Sequence, residues 1–284
     1  MKLYYSPGAC SLAPHILLRE TGSAFELAHV DTTRHVLDDG TDFHTINRKG
    51  LVPVLELADG TRLTEGPVIA QYIADRSGRT DLMPAAGTLA RYRVMEWQNF
   101  ITSDLHKTYS VLFSPVLSGP AKATFAEALQ KKYALIDAEL ARSFYLGGPD
   151  FSAADAYLFT VTRWAPFVDL DLSRLANLTA FMDTIATRAS VREAMKVEGL
   201  THARQAACTT AGMPSVERSR PGGRHLDRRV LEYFYLRQES AGLAPPPPAT
   251  WLFSPLICHS PDVSHWLRLF ARPASSQRFK DLRQ

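Results

Sequence analysis

The sequence is short of cysteine, of long apolar runs and of any dominant charge sign. Its 284 residues include three cysteines, Cys10, Cys208 and Cys258, whose spacing fits neither a disulfide framework nor a metal site. That suits a reducing compartment and excludes a disulfide-stapled scaffold. No apolar stretch is long enough to span a bilayer, so no membrane partner is expected. The opening Lys2-Leu-Tyr-Tyr-Ser-Pro7 breaks before the apolar segment of a secretory leader could form, and a cytoplasmic location is expected. The net charge is only +3 and is unevenly held: residues 201–284 carry 12 Lys and Arg against 6 Asp and Glu, whereas the first 200 carry 20 against 23. The body therefore lacks the basic footprint of a nucleic-acid binder. No internal repeat is detectable. What is present, 45% hydrophobic and 21% charged residues, is a globular composition in a chain long enough for two domains.

Cys10 is the most informative residue. Lys2 to Tyr5 reads as a short strand, and Ser6-Pro7-Gly8 supplies turn chemistry, Pro fixing φ and Gly permitting a positive one. A helix is expected over 12–20, closed by Gly22 at the position where helices favour glycine. Cys10 then lies at or just before a helix N-terminus, where free N–H groups and the helix dipole favour a thiolate. A thiol at a strand-to-helix turn is the thioredoxin-like arrangement. Its usual second cysteine is absent, since position 13 is Ala, which argues against a dithiol reductase and for binding of an external thiol. The alternative is a buried, inert cysteine, and the position alone leaves both open.

Strands are expected over 25–30, 54–57 and 61–63, the last two flanking Asp59-Gly60, a dipeptide suited to a type I′ hairpin turn. Between them, 38–47 reads as a loop with a weak helical piece. A helix over 65–76 should turn Val68, Ile69, Tyr72 and Ile73 to one face. This βαβ–ββα order gives a small α/β domain, residues 1–81, followed by the linker Leu82-Met-Pro-Ala-Ala86. Residues 87–200 read as all-helical, with helices over 89–114, 121–142, 152–167, 175–188 and 191–196. Ser152-Ala-Ala-Asp155 is a capping-box variant with a structural role. Residues 201–284 hold nine of the 18 prolines and 11 of their 12 basic residues as Arg. Apart from one possible helix over 226–238, this extension is expected to be largely disordered.

Four segments in register resemble the bacterial beta-class glutathione S-transferases: Met1-Lys-Leu-Tyr-Tyr-Ser-Pro-Gly-Ala-Cys-Ser-Leu12, Lys49-Gly-Leu-Val-Pro-Val-Leu55, Leu63-Thr-Glu-Gly-Pro-Val-Ile-Ala-Gln-Tyr-Ile-Ala-Asp75 and Asp104-Leu-His-Lys107. Each alone is weak; together they are specific. The resemblance covers residues 1 to about 200 and has no counterpart for the extension. It implies an α/β N-terminal thioredoxin-like domain plus an all-α C-terminal domain, usually assembled as a homodimer.

The resemblance also implies roles. Pro53 would follow a cis bond, leaving Val52 to pair with the cysteinyl unit of glutathione as a small strand addition. Glu65 would take the γ-glutamyl amine and the Gly66 amide its carboxylate, at a helix start that favours an anion. Asn99, Ser103, His106 and Lys107 fall at i, i+4, i+7 and i+8 and so share one face of the long helix, opposite Val94, Trp97, Ile101 and Leu105. The resemblance makes that polar face a cleft wall, with His106 aimed at the sulfur near Cys10, Lys107 close by, and Ser103 and Asp104 reaching glutathione in the other subunit. His35 stands where relatives often carry a Lys for the glycyl carboxylate, which would make that contact weaker and pH-dependent. Trp164 fits a position lining the electrophile pocket.

The expected activity is conjugation of the glutathione thiol to small hydrophobic electrophiles, a detoxification chemistry. Glutathione is then a co-substrate, and no metal or other cofactor is expected. Candidate donors to the thiolate are the Cys10 thiol, the Ser11 hydroxyl and amide, His106 and, ranked lower, the Tyr5 hydroxyl. Two alternatives remain: thiol-disulfide exchange through Cys10, and a binding protein without turnover.

Overall fold

The computed structural model describes residues 1–200. The expectations for residues 201–284, including the helix over 226–238, lie outside the described residues. The first half runs β1 (Lys2–Tyr5), α1 (Leu12–Glu20), β2 (Glu26–Asp31), β3 (Val36–Leu37), a 3-10 turn (Phe43–Thr45), β4 (Val54–Glu56), β5 (Arg62–Thr64) and α2 (Gly66–Ser77). The strand order is β3-β2-β1-β4-β5. β1 and β2 are parallel across the α1 crossover, and the other neighbours are antiparallel. Because successive strand residues face opposite sides, Leu3 and Leu55 join the main core under the helices. Tyr4, Val30 and Val54 form a second, smaller core with Phe43 and Val52.

Several local expectations hold for their stated reasons. Gly22 closes α1 at φ +64, and the Ser23 N–H reaches back to the Leu18 carbonyl at 3.2 Å, satisfying an orphan acceptor of the last turn. Other expectations need correction. β3 was not foreseen in the sequence. The Asp59-Gly60 hairpin is not type I′, which requires a positive φ at both central residues. Only Gly60 has one, and the Gly60 N–H closes an ordinary turn on the Leu57 carbonyl at 3.0 Å. In α2 the buried face is Ile69, Ala70, Ile73 and Ala74, while Val68 is half exposed. Leu82 and Met83, at the start of the linker, are fully buried, and the Leu82 carbonyl accepts the Ala153 N–H at the start of a distant helix.

The second half is helical: α3 (Leu89–Phe100), a π segment (Ile101–His106), α4 (Lys107–Leu112), α5 (Gly119–Leu140), α6 (Ala153–Thr162), a 3-10 turn (Ala165–Val168), α7 (Ala176–Thr187) and α8 (Ala189–Val197). The helix expected over 89–114 is therefore interrupted. In the π segment the backbone pairs five residues apart, with the Lys107 N–H on the Thr102 carbonyl. Hydroxyls cover carbonyls around it: Thr102 donates to Gln98 at 2.8 Å and Thr108 to Asp104 at 2.6 Å. Every residue of α6 is buried, which makes it the central helix of this half. Its capping box is present: Asp155 accepts the Ser152 N–H at 2.8 Å and hydroxyl at 2.6 Å, and also the Leu146 N–H at 2.9 Å.

Candidate active site at the Cys10 turn

The turn carrying Cys10 is held from several sides. The Ala9 N–H closes on the Ser6 carbonyl at 3.1 Å, and Gly8 takes φ +72. The Gly8 N–H donates to Glu198 Oε2 at 2.9 Å, and the Gly8 carbonyl accepts Trp164 Nε1–H at 2.9 Å. Both partners come from the helical half of the chain. Glu198 is buried and pairs with His15 of α1 at 2.7 Å, whose other ring nitrogen accepts from Arg19 Nε at 3.0 Å. That acceptor role fixes the proton of a neutral His15 on Nδ1, facing Glu198. Cys10 is buried, and its Sγ donates to the Val52 carbonyl at 3.3 Å. The Val52–Pro53 bond is cis, as the resemblance implied. The thiol turn and the strand-entry residue thus meet at one place, between the N-terminus of α1 and the start of β4.

A polar edge adjoins it. Glu65 precedes α2 in the left-handed region at φ 69, and Pro67 follows in the first turn, where its missing N–H costs nothing. Lys49 donates to Glu65 at 2.7 Å and to Thr64 at 3.0 Å, which sequence reasoning missed. Behind Lys49, Gly50 turns at φ +64, and a Cβ there would sit 2.7 Å from the His44 ring and 2.9 Å from His35 Nδ1. The two imidazoles lie 4.5 Å apart. Burial, and then His44, lower the pKa of His35 below the ordinary histidine value. Its Nδ1 is buried without a hydrogen-bond partner among the described residues.

The polar residues expected on one helix face are divided. Asn99, Ser103 and Lys107 are exposed, whereas His106 is half-buried, its ring 4.8 Å from Trp164 and its Nδ1 2.7 Å from the Tyr157 hydroxyl. The cause is the π segment, whose wider turn breaks the 3.6-residue register assumed across 99–107. Asp104 accepts from the Ser103 hydroxyl at 2.7 Å and pairs with Lys132 of α5 at 3.0 Å, and the first contact, then the second, hold its carboxyl below the usual range.

Three further expectations change. The Ser11 hydroxyl is committed inside the turn, donating to the Ser6 carbonyl and accepting the Ser6 N–H, both at 3.2 Å. Tyr5 packs its ring against His15 and His29, on the α1 side of the sheet. Burial first, then Glu198, raise its phenol pKa. Trp164 is only 1% exposed and belongs to the core with Tyr109 and Phe113, so it braces the Cys10 turn from behind instead of lining an open pocket.

Tyr157 is the residue the sequence did not reveal. It lies in α6, buried, with its hydroxyl on His106. Burial raises its pKa strongly, and the charges of Cys10 and Glu65 act on it in the same direction. One signal was available: a phenol among the small and apolar residues of an entirely buried helix needs a partner for its hydroxyl. Among the described residues no cluster of three or more His, Cys, Asp or Glu could hold a metal ion, and no helix is long and apolar enough to cross a membrane.

A thioredoxin-like sheet with a cysteine at its first turn, braced by an all-helical half, is the architecture of glutathione transferases. The comparisons agree. The family model for the glutathione S-transferase N-terminal domain matches residues 8–76, and that for the C-terminal domain matches residues 109–189. The chain is 44% identical over 200 residues to glutathione S-transferase GstA of Escherichia coli O157:H7, covering 70% of this chain and all of the relative. It is 36% identical to glutathione S-transferase GST-4.5 of Xanthomonas campestris, again over 70% of this chain and all of the relative. Among solved structures, a ternary complex of BphK, a bacterial glutathione transferase, superposes with a TM-score of 0.69 at 45% identity, covering 70% of this chain and all of that one. A sphingomonad glutathione S-transferase complexed with glutathione gives 0.68 at 45%, with the same coverage. The chain belongs to the glutathione S-transferase family, and its structural neighbours include the bacterial beta class.

Proposed function

We propose that this protein is a glutathione transferase that joins the glutathione sulfur to small hydrophobic electrophiles. The observation that carries the reading is the 3.3 Å contact of Cys10 Sγ with the Val52 carbonyl, which brings the thiol turn and the strand-entry residue together. Residues 1–81 form the glutathione-binding domain and residues 87–200 the helical domain that adds the electrophile side. In this reading the Val52 backbone pairs with the cysteinyl unit, Pro53 shapes that edge, Glu65 receives the γ-glutamyl amine, and the Gly66 amide receives its carboxylate. His35 faces the glycyl end. The sulfur lies at the Cys10 turn, within reach of His106.

The chemistry is stabilisation of a thiolate. Free glutathione's thiol resembles free cysteine, with a pKa of about 8.5, so little is ionised at neutral pH. Each tenfold gain in thiolate corresponds to about 1.4 kcal/mol of differential stabilisation. The N-terminus of α1 and donors at the turn supply it. The Cys10 Sγ faces the Val52 carbonyl at 3.3 Å as a hydrogen-bond donor. The same S–H can turn to the incoming sulfur, which favours a donor over a covalent role. Attack on the electrophile then needs positioning only. Glutathione is a co-substrate, and Asn99, Ser103 and Lys107 extend the polar wall. A homodimer in the cytoplasm completes the reading, with the exposed Val68, Leu89 and Tyr92 as apolar surface for a second copy to cover.

The test is steady-state conjugation of glutathione to an activated aryl halide by the full-length chain. Turnover that saturates in glutathione is expected. Saturable glutathione binding with no turnover on any electrophile would replace this reading with a binding protein.

A further inference from the structure

His106 has two ring nitrogens, and only one of them meets Tyr157. Nδ1 lies 2.7 Å from the Tyr157 hydroxyl, in a contact that joins the end of the π segment to α6. A neutral imidazole carries one proton, so whichever group donates across this contact decides what the other nitrogen offers. Were Nδ1 to hold the proton, it would donate to the phenol oxygen, and the buried phenol would need another acceptor for its own hydrogen. The competing acceptor is the Thr102 hydroxyl, which donates to the Gln98 carbonyl at 2.8 Å and keeps its lone pairs for the phenol. An imidazole nitrogen is the better acceptor, and burial keeps the phenol protonated. Both facts favour donation from tyrosine to histidine.

The remaining contacts connect this pair to the turn. The His106 ring stands edge-on to Trp164 at 4.8 Å, and the Trp164 indole donates to Gly8, two residues before Cys10. We propose that Tyr157 is a positioning residue: its hydroxyl donates to Nδ1 of His106, fixes the imidazole as the Nε2–H tautomer, and so makes His106 a hydrogen-bond donor for the sulfur held at the Cys10 turn. This rests on the transferase reading and deepens it. Tyr157 acts through His106 and need not touch substrate. The π segment places His106 at this contact while leaving Ser103 and Lys107 exposed.

The experiment is an imidazole nitrogen–proton correlation spectrum of the nitrogen-15-labelled full-length protein at neutral pH, paired with steady-state kinetics of Tyr157→Phe. The wild type should show the His106 proton on Nε2. Tyr157→Phe should release the tautomer to a mixture and lower kcat about tenfold, the equivalent of ~1.4 kcal/mol, with the glutathione KM changed less than about twofold. A wild-type proton on Nδ1 overturns the proposal, and so does a Tyr157→Phe protein with unchanged tautomer and kcat. If that variant does not fold, the wild-type spectrum decides alone. Failure of the transferase reading shows differently, as no turnover by the wild type whatever tautomer is found.

Discussion

The indole N–H of Trp164 donates to the carbonyl of Gly8 at 2.9 Å across 156 residues of chain. On the other side of the same residue, the Gly8 N–H donates to Glu198 at 2.9 Å. The turn that presents Cys10 is therefore shaped by the helical half as much as by its own Ser6-Pro7-Gly8 sequence. A site for a small thiol tripeptide needs such rigidity, because a group held loosely contributes little to orienting a reacting sulfur.

Trp164→Phe keeps most of the packing against His106, Tyr109 and Phe113 but removes the donor to Gly8. Leaving that carbonyl unpaired should cost about 1–3 kcal/mol, read as a lower urea midpoint at unchanged slope. The glutathione KM should rise in parallel. A variant with wild-type stability and KM would show that the anchor does not shape the turn.

Glu65 is held ready by Lys49 at 2.7 Å, outside the regular helix and beside its first turn. Glu65→Gln keeps the shape and removes the charge that would receive an ammonium. Calorimetric titration should show glutathione binding weakened about tenfold or more, as expected for one charge-assisted hydrogen bond. Unchanged affinity would move the γ-glutamyl end away from this residue.

His35 gives a pH dependence whose sign follows from its surroundings. Burial, and then His44, hold its pKa below 6.5, so it is neutral at neutral pH. Its contribution to stability is present above about 6.5 and is lost as pH falls through the lower folded value, because the unfolded chain takes up the proton first. In function, a neutral ring gives the glycyl carboxylate no charge. His35→Lys should lower the glutathione KM about two- to fivefold at pH 7.5, and less at high salt. A KM that rises instead would mean that the packing of His35 on His44 matters more than its charge.

Cys10 separates conjugation from redox chemistry. Cys10→Ala should retain measurable conjugation, reduced by about tenfold for the loss of one hydrogen bond to the sulfur. It should lose all exchange with glutathione disulfide, in which the Cys10 sulfur would bond to one glutathione and release the other as thiolate. Complete loss of conjugation would make a covalent Cys10 step obligatory.

Much of the fold could be read from local chemistry. β1, the turn and α1 follow from an alternating strand, a Pro-Gly pair and a helix ended by Gly22, all within two dozen residues. β3 could not be read, because two residues carry no periodicity; it exists through pairing of Val30 with Leu37 and of Asp31 with Val36. The π segment has no signature in Ile101–His106, and it misplaced the shared polar face. The backbone of the candidate site was legible where motifs were local, as in the Cys10 turn, the cis Val52–Pro53 bond and the helix start after Glu65. The tertiary partners were not: Tyr157 lies 51 residues from His106, and Glu198 lies 183 from His15. Distances of that kind are fixed by helix packing, which no spacing rule records.

The central claim is that this site makes glutathione a thiolate, and its direct measure is a pH titration of the ultraviolet thiolate absorbance of glutathione bound to the full-length protein. An apparent pKa at least one below the free value of about 8.5 is the predicted result. Bound glutathione that titrates with the free thiol would contradict the account.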